Sequence, residues 1–600
     1  QPVDMPSYMR GSFNVLGLAL AKLGDDDAAG ASFERAIALD PSPRLYMNLG
    51  ALRRRQGRAE HAAAAYERAA LGLESALRLQ PRDAGLWCEL GDARYAAERF
   101  ADAVAAYGEA TRCDPTQARA WYAAGCAEKA RAEYAAAATC FRRTLAIAPA
   151  WLEARHNLGA VLFELGQVNA ALEEFRRAAA GAAGASEMPQ AMIAVIIPGS
   201  SAADNQAVLD ARRSWFALAA PGTGPAPPRP ARRPVRDRPL RVGYVSSFFH
   251  RPNWMKPVWG LIDQHDRTAV EVHLFSDAPA SAVRHGRAPH PADVFHDVGD
   301  MPNEAVAARI AASGIDVLVD LNGYSRMPRL PLFALRPAPV IVAWFNMYAT
   351  TGMSCFDYLI GDDVVIPPEE ERFYVERIAR VPGCYLTFAV DYPVPPVAES
   401  PCAAAGPITF GCLASQYKIT GEVIHAWSRI LAEARDSRMI VRNAGLASAG
   451  TRALVHGMFA QHGIAAERVR LEGPAEHDQF LRTYDAIDVA LDTFPYNGGT
   501  TTTEAIWQGV PVVAFQGDRW VARTSATILR AGGLGDFVAQ DVDEYVALAV
   551  ELATRPAARE RLIALRRGMR QRLRASPVCD THTFARNMER LYRAMHDGGL

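Results

Sequence analysis

A step of 34 residues runs through the first third of this 600-residue chain. Prolines close ALDP, RLQP, RCDP and AIAP at 41, 81, 115 and 149, and the last two intervals are 34 residues each. Glycines at 91, 125 and 159 keep the same step, and aromatic residues at 33, 66, 107, 141 and 175 recur beside them. A helix–turn–helix unit of this length cannot bury its apolar face alone. Copies must stack, with small residues where helices touch and proline at the end of each unit. The chain is therefore bound to begin as an α-solenoid.

This spacing is the tetratricopeptide pattern, expected here over residues 1–182. One irregularity tests it. The aromatic-to-proline distance is 8 residues from 33 to 41, from 107 to 115 and from 141 to 149, but 15 from Tyr66 to Pro81. Seven extra residues are about two helical turns. AAYERAALGLESALRLQP is thus expected to lengthen one helix while keeping its buried face. The aromatics read as core, and the groove of the solenoid reads as a binding surface for a peptide or partner protein.

Residues 183–239 are expected to hold capping helices and then an extended linker, because 217–239 (ALAAPGTGPAPPRPARRPVRDRP) is rich in Pro, Arg, Ala and Gly. Beyond it, apolar strands alternate with helical segments. LRVGYVSS, VEVHLFSD, IDVLVDLNG and APVIVAWF form one series; ITFGCLAS, RMIVRNAG, RVRLEG, VALDTF and GVPVVAF form another. This alternation predicts two parallel-sheet α/β domains, 240–398 and 399–575, followed by a C-terminal helix in 576–600. Ligands of such sheets sit beyond the carboxyl ends of the strands.

The junction LDTFPYNGGTTTTEAIWQG (491–509) has the chemistry of a diphosphate cradle. Asn497, Gly498 and Gly499 lie between a strand and a helix. Glycines allow close approach of backbone N–H groups to an anion, and the first helical turn leaves its N–H groups free. Thr500–Thr503 add hydroxyls. The GxxxxGK[ST] pattern of a P-loop is missing.

Composition narrows the classes. The formal net charge is −1, which gives no basic surplus for nucleic acid. No apolar stretch has the length of a membrane span. Nine scattered cysteines without a CxxC read as free thiols, and no basic segment followed by an apolar core opens the chain, so a cytoplasmic location is expected.

The order of these parts, with RVGYVSSFFHRP (241–252), DLNGYSRMPRLPLFALRPAPV (320–340), SQYKI (415–419) and the LDTFPYNGGTTTTEAIWQGVPVV block, resembles the O-linked N-acetylglucosamine transferase family, the group that includes SPINDLY. The resemblance implies a GT-B glycosyltransferase with two Rossmann-like domains behind the repeats. It implies an inverting transfer of N-acetylglucosamine from UDP to Ser or Thr hydroxyls of a protein held in the cleft and the repeat groove. Lys418 matches the lysine that contacts the donor diphosphate, with Ser415 and Gln416 on the same donor-binding stretch. Thr500 and Thr501 match the phosphate-binding pair after Asn497, Gly498 and Gly499. Glu504 matches the acidic residue that holds the ribose, and His477 a nucleotide-side histidine. His250 matches the histidine facing the reacting centre. It is one candidate general base; Asp316, Asp320 and a donor phosphate oxygen are the others.

Gly499, Glu504 and FNMYATTG (345–352) depart from the animal-type pattern, and the GGTTTT form is closer to bacterial and SPINDLY-like members. Some of the latter use GDP-fucose, so protein O-fucosylation is the alternative. A repeat scaffold with a weak transferase domain and a nucleotide-sugar epimerase are the readings from other classes. No cofactor and no metal are expected. The DxD pairs Asp25/Asp27 and Asp541/Asp543 read as helix starts or polar loops.

Overall fold

In each early repeat one aromatic ring sits directly on one glycine, sixteen residues before it in sequence. A Cβ on Gly50 would stand 2.5 Å from the Tyr66 ring and one on Gly125 2.6 Å from the Phe141 ring; Gly91 lies closer still to Tyr107. Only hydrogen fits there, which is why glycine and ring repeat together. The computed structural model describes residues 5–181, 187–220, 228–235, 238–283, 290–404 and 406–600. It divides into two compact units, Gln1–Leu162 and Phe163–Leu600.

The first unit is the solenoid. Its helix pairs include Pro43–Arg55 with Ala59–Leu79, Ala84–Ala96 with Phe100–Cys113, and Ala118–Ala130 with Tyr134–Ile147. The helix carrying the extra residues has 21 residues, against 14 in Phe100–Cys113 and Tyr134–Ile147. Ala62, Ala65, Tyr66, Ala69, Leu73 and Leu77 are buried along it. The added turns therefore continue the 3–4 spacing of the apolar stripe, as expected.

The second unit holds two all-parallel sheets. The first has seven strands: β1 (Leu240–Ser246), β2 (Val270–Ser276), β3 (Val294–Asp297), β4 (Val317–Asp320), β5 (Val340–Ala343), β6 (Tyr358–Gly361) and β7 (Arg377–Arg380). Their spatial order is β3-β2-β1-β4-β5-β6-β7. The second has β8 (Thr409–Cys412), β9 (Arg438–Arg442), β10 (Val469–Glu472), β11 (Val489–Leu491), β12 (Val512–Phe515) and β13 (Val538–Ala539), in the order β10-β9-β8-β11-β12-β13. Both are Rossmann-like, and together they have the GT-B architecture. The strand order reverses at β1/β4 and at β8/β11, so each sheet has its crevice at the carboxyl ends of those strands.

Three features lie outside the sequence pattern. The last repeat straddles the division between units: its second helix, Val168–Gly181, belongs to the second unit, whereas the expected boundary at 182/183 falls within 182–186, outside the described residues. The linker is also more anchored than its composition suggests. Its stretches 221–227 and 236–237 lie outside the described residues, but Arg229 pairs with Asp357, Arg238 pairs with Asp316, and Val235 is buried. Finally, the C-terminal helix, Thr581–Asp597, returns to the first sheet's side. There Glu589 Oε1 lies 2.9 Å from His265 Nδ1 and Tyr592 stacks edge-on near Tyr244.

The capping helix Asn205–Ala219 is fixed by Arg212. This fully buried guanidinium donates to the carbonyls of Ala194 (3.3 Å), Met347 (3.2 Å) and Thr350 (2.5 Å), and lies 3.8 Å from the Tyr324 ring centroid. Burial pulls its pKa down, and the nearby Tyr324 and Glu376 oppose that. The guanidinium thus satisfies carbonyls of the FNMYATTG loop that no water reaches. Arg212→Leu is expected to destabilise the second unit by about 3 kcal/mol or more, because three buried acceptors lose their donor. Urea unfolding of the variant measures this; a change below about 1 kcal/mol would mean those carbonyls find other donors.

Candidate functional site

Strand β11 ends at Leu491, and Asp492 turns its carboxylate back onto the loop that follows. Its Oδ1 accepts the N–H groups of Thr493 (2.9 Å) and Gly498 (2.8 Å). A Cβ on Gly498 would stand 2.6 Å from Thr502 Oγ1 and 2.7 Å from Thr501 Oγ1. Gly498 is required by this close approach. Gly499, the residue before helix Thr500–Trp507, would meet only Thr524 Cγ2 at 3.5 Å. The cradle is braced from behind: Ser525 Oγ donates to the Gly498 carbonyl (3.0 Å) and lies 2.8 Å from Thr502 Oγ1. Asn497 donates through Nδ2 to the Thr493 carbonyl, while its Oδ1 is buried with no protein partner.

Lys418 comes from the loop after β8, the strand beside β11. Its Nζ donates to the Asn497 carbonyl (2.7 Å) and lies 4.1 Å from the Tyr496 ring centroid. Tyr417 meets Tyr496 edge-on, and Phe163 of the last repeat stacks on Tyr417 at 4.9 Å. The ammonium is thus held by a carbonyl and an aromatic face rather than by a hydrogen-bonded carboxylate. Burial pushes its pKa down to about 8, with Asp492 and Cys412 opposing the fall. Ser415 is exposed at the start of this turn. Gln416 is buried and accepts from Asn443 Nδ2 (3.2 Å), so its amide serves the loop.

Glu504 lies just past the first turn of the cradle helix, and His477 shares its surroundings. Glu504 is buried, with Oε1 3.6 Å from Lys256 Nζ. His477 Nε2 is buried with no protein partner. Burial lowers its pKa, Glu504 raises it and Lys256 lowers it, so the three groups share one field. Tyr392, from the segment joining the two sheets, has its ring 5.8 Å from that of His477.

His250 stands exposed in the turn after β1, at the crevice of the first sheet. Burial and Arg251 keep its pKa low, so its ring is neutral near pH 7 and able to accept a proton. Six residues on, Lys256 Nζ reaches Thr503 Oγ1 (3.4 Å), which brings the start of helix Lys256–Gln264 against the cradle helix of the second sheet.

Two candidate bases fall away. Asp316 precedes β4 at its amino end, away from the crevice, and is paired with Arg238 at 2.6 Å. Asp320 ends β4 but is fully buried, and both oxygens accept backbone N–H groups, of Asn322 and Gly323 at 3.0 Å. Burial raises its pKa to about 7, yet it holds a loop and faces no open space. The sequence reading missed Lys256, Tyr496, Asp492 and Tyr392. Only Asp492 and Tyr496 carried a signal, as neighbours of the NGG turn.

The glycosyl transferase family 41 model matches residues 228–392 and 404–588, and a tetratricopeptide repeat model matches 14–73 and 68–118. The chain belongs to glycosyl transferase family 41. It is 34% identical over 367 residues to the probable UDP-N-acetylglucosamine–peptide N-acetylglucosaminyltransferase SPINDLY of Hordeum vulgare, and 33% identical over 365 residues to that of Arabidopsis thaliana. The first match covers 60% of this chain and 38% of the relative, the second 60% and 40%, so the chain spans about two fifths of the length of these relatives. A solved mutant of the Thermobaculum terrenum O-GlcNAc transferase aligns with TM-score 0.71 and 29% identity, covering 90% of this chain and 99% of that one. Among the described residues no helix is long and apolar enough to cross a membrane, and no group of three or more His, Cys, Asp or Glu could hold a metal ion. Asp25 and Asp541, the leading members of the two DxD pairs, cap helices through the N–H groups of Ala28 and Glu544.

A half-buried ammonium of lowered pKa is a cost to folding. Below about pH 8 Lys418 is charged in both the folded and the unfolded chain and the whole cost is present; between about 8 and 10.5 the folded form sheds its proton first and the cost is relieved. Lys418→Met is therefore expected to be more stable than the parent at pH 7. The gain is about 1–3 kcal/mol, discounted because the residue is part-exposed, and shrinks towards pH 10. Thermal unfolding at pH 7 and pH 10 measures it; a variant less stable at pH 7 would contradict the reading of this lysine as a strained cation.

Proposed function

We propose that this member of family 41 is an inverting protein O-glycosyltransferase. It moves N-acetylglucosamine from UDP to Ser or Thr hydroxyls. The observation that carries the reading is the Lys418 ammonium, poised without a hydrogen-bonded carboxylate beside the N-terminus of helix Thr500–Trp507.

In this reading the diphosphate lies on the free N–H groups and hydroxyls of Gly499, Thr500 and Thr501, with Lys418 on its outer oxygens. Glu504 accepts the ribose hydroxyls, and His477, whose Nε2 lacks a protein partner, donates to or accepts from the nucleotide. Ser415, Gln416 and Asn497 shape the walls. The acceptor hydroxyl attacks the anomeric carbon from the face opposite the leaving group. The carbon–oxygen bond to the diphosphate breaks, the electron pair goes to the β-phosphate, and Lys418 neutralises it. The acceptor's proton goes to His250 or to a phosphate oxygen of the donor. The repeat groove holds the protein substrate, and the site works in the reducing interior of the cell. The domain limits expected from the sequence belong to the same proposal, with the cradle outside the repeats and the last repeat packed against the Tyr417–Ile419 turn.

The likeness to the Thermobaculum terrenum O-GlcNAc transferase supports N-acetylglucosamine as the sugar, and the likeness to SPINDLY keeps GDP-fucose as the donor to test against it. Incubation of acceptor proteins with each donor, followed by mass spectrometry, is expected to show added N-acetylhexosamine. Deoxyhexose alone would shift the assignment to fucose. Lys418→Ala is expected to lower transfer by about a hundredfold or more, since removing one transition-state cation costs about 3 kcal/mol in an enclosed site. Near-normal turnover in the folded variant would remove Lys418 from the leaving-group role.

UDP is expected to bind equally well in EDTA and in added magnesium or manganese, because the helix N-terminus and Lys418 supply the positive potential. Calorimetric affinity that returns only with metal would overturn the metal-free cradle.

A further inference from the structure

Lysine is rare in this chain. Only Lys22, Lys129, Lys256 and Lys418 occur among 65 basic side chains. Lys22 and Lys129 are exposed on repeat helices, and the other two lie at the cradle. Lys418 has a place in the proposed reaction, but Lys256 does not.

Lys256 opens helix Lys256–Gln264 of the first Rossmann half, and its side chain is 3% exposed. Its neighbours belong to the other half: Glu504 Oε1 at 3.6 Å and Thr503 Oγ1 at 3.4 Å. A settled charge-assisted hydrogen bond is about 2.7–2.9 Å long, so both contacts are loose. Other buried cations here are arginines with several close acceptors. Arg329 donates to the Met301 and Val298 carbonyls at 2.8 and 2.7 Å, and Arg523 grips Glu370 at 2.6 and 2.9 Å. Lys256 is buried yet loosely held, beside the first turn of the cradle helix. His477 Nε2, in the same field as Glu504 and Lys256, is buried with no protein partner, and so is Asn497 Oδ1 in the loop before the cradle helix. A loosely held buried cation and, beside it in the field of Glu504, a histidine nitrogen with no protein partner are the outline of an absent polar ligand.

We propose that Lys256 is a donor-binding residue, a second phosphate-binding ammonium supplied by the opposite half of the molecule. The inference rests on the donor-site reading above. In the free protein Glu504 holds the ammonium. When the ribose hydroxyls of a nucleoside diphosphate engage Glu504, Lys256 turns to the phosphate oxygens, and the two halves close on a ligand that carries charge for both lysines. Lysine suits this exchange because its compact ammonium rotates between partners, whereas a guanidinium fork is fixed in plane. Burial lowers the pKa of Lys256 and Glu504 raises it, so an arriving phosphate would restore the support that Glu504 withdraws.

The scarcity of lysine makes the test direct. Full-length protein labelled with 13C at the lysine ε-carbons gives four signals. Lys22→Arg, Lys129→Arg and Lys418→Met assign three, and Lys256 follows by elimination even if its own variant does not fold. UDP and inorganic pyrophosphate are expected to move both the Lys256 and the Lys418 signals, and uridine to move them little. Lys256→Met, checked for a native thermal transition, is expected to weaken UDP about tenfold or more while uridine binding changes little. If Lys418 responds to UDP and Lys256 does not, the inference is wrong and the donor site stands. The inference also fails if Lys256→Met weakens uridine as much as UDP, because the lysine then acts only by orienting Glu504. If neither lysine responds to UDP, the donor-site reading falls, and this inference with it.

Discussion

A parallel sheet whose strand order reverses must leave a gap where neighbouring connections depart to opposite faces. Everything functional in the second unit depends on that constraint operating twice. In the second sheet the reversal lies between β8 and β11. The loop after β8 carries Lys418 and the loop after β11 carries Asn497–Thr500, 79 residues away from Lys418 at the nearest bond. Neither loop is a site alone. The reversal brings a cation and a helix N-terminus to one crevice, and Asp492, Ser525 and Tyr496 then fix their details. In the first sheet the same reversal, between β1 and β4, frees the turn that carries His250.

Polar contacts tie the two halves together. Thr527 Oγ1 donates to Asp362 Oδ2 at 2.7 Å, and Arg523 forms its bidentate pair with Glu370. The capping segment adds a brace across both. Asn205 Nδ2 reaches Glu370 Oε2 of the first half and, more weakly, the Asp518 carbonyl of the second, while Arg519 donates to the Ser200 carbonyl at 2.9 Å. Helices that a periodicity argument treats as the end of the solenoid are therefore structural parts of the second unit. The last repeat goes further. Gly166, at φ +78°, lets its turn lie against the backbone of Ile419, one residue from Lys418.

What the sequence made legible was local or periodic. Glycine and ring recur because one packs on the other, so the repeats and even the lengthened helix Ala59–Leu79 could be read from spacing. Buried apolar strands and the NGG turn were likewise visible. β3 (VFHD) and β7 (RIAR) were not, because they are half-exposed and carry charged or polar residues, and β13 has only two residues. Asp316 and Asp320 looked equivalent as candidate bases. They sit at opposite ends of one four-residue strand, and only the structure tells the crevice end from the other. Lys256 was invisible for a plainer reason: its partner Thr503 is 247 residues away, and no local pattern marks a contact that two domains create by closing.

The division of labour between the two basic residue types follows from their chemistry. Arginine stays charged in any protein environment and offers five donors in a rigid fork, so it can be buried wherever several acceptors converge. This chain uses it so repeatedly. Arg212 gathers three carbonyls, and Arg566 gathers those of Tyr484, Ile487 and Gln508 beneath the second sheet. Such a cation is spent on structure, and its donors are committed before any ligand arrives. A lysine in the same surroundings behaves differently. Its single ammonium is held by few partners, its pKa yields to burial, and it can change partner by rotation. Under the proposed reaction, a site that meets charge appearing on a leaving group needs the second behaviour. In a chain that builds almost exclusively with arginine, the two lysines at the cradle stand where a fixed fork would serve poorly and a movable point charge serves well.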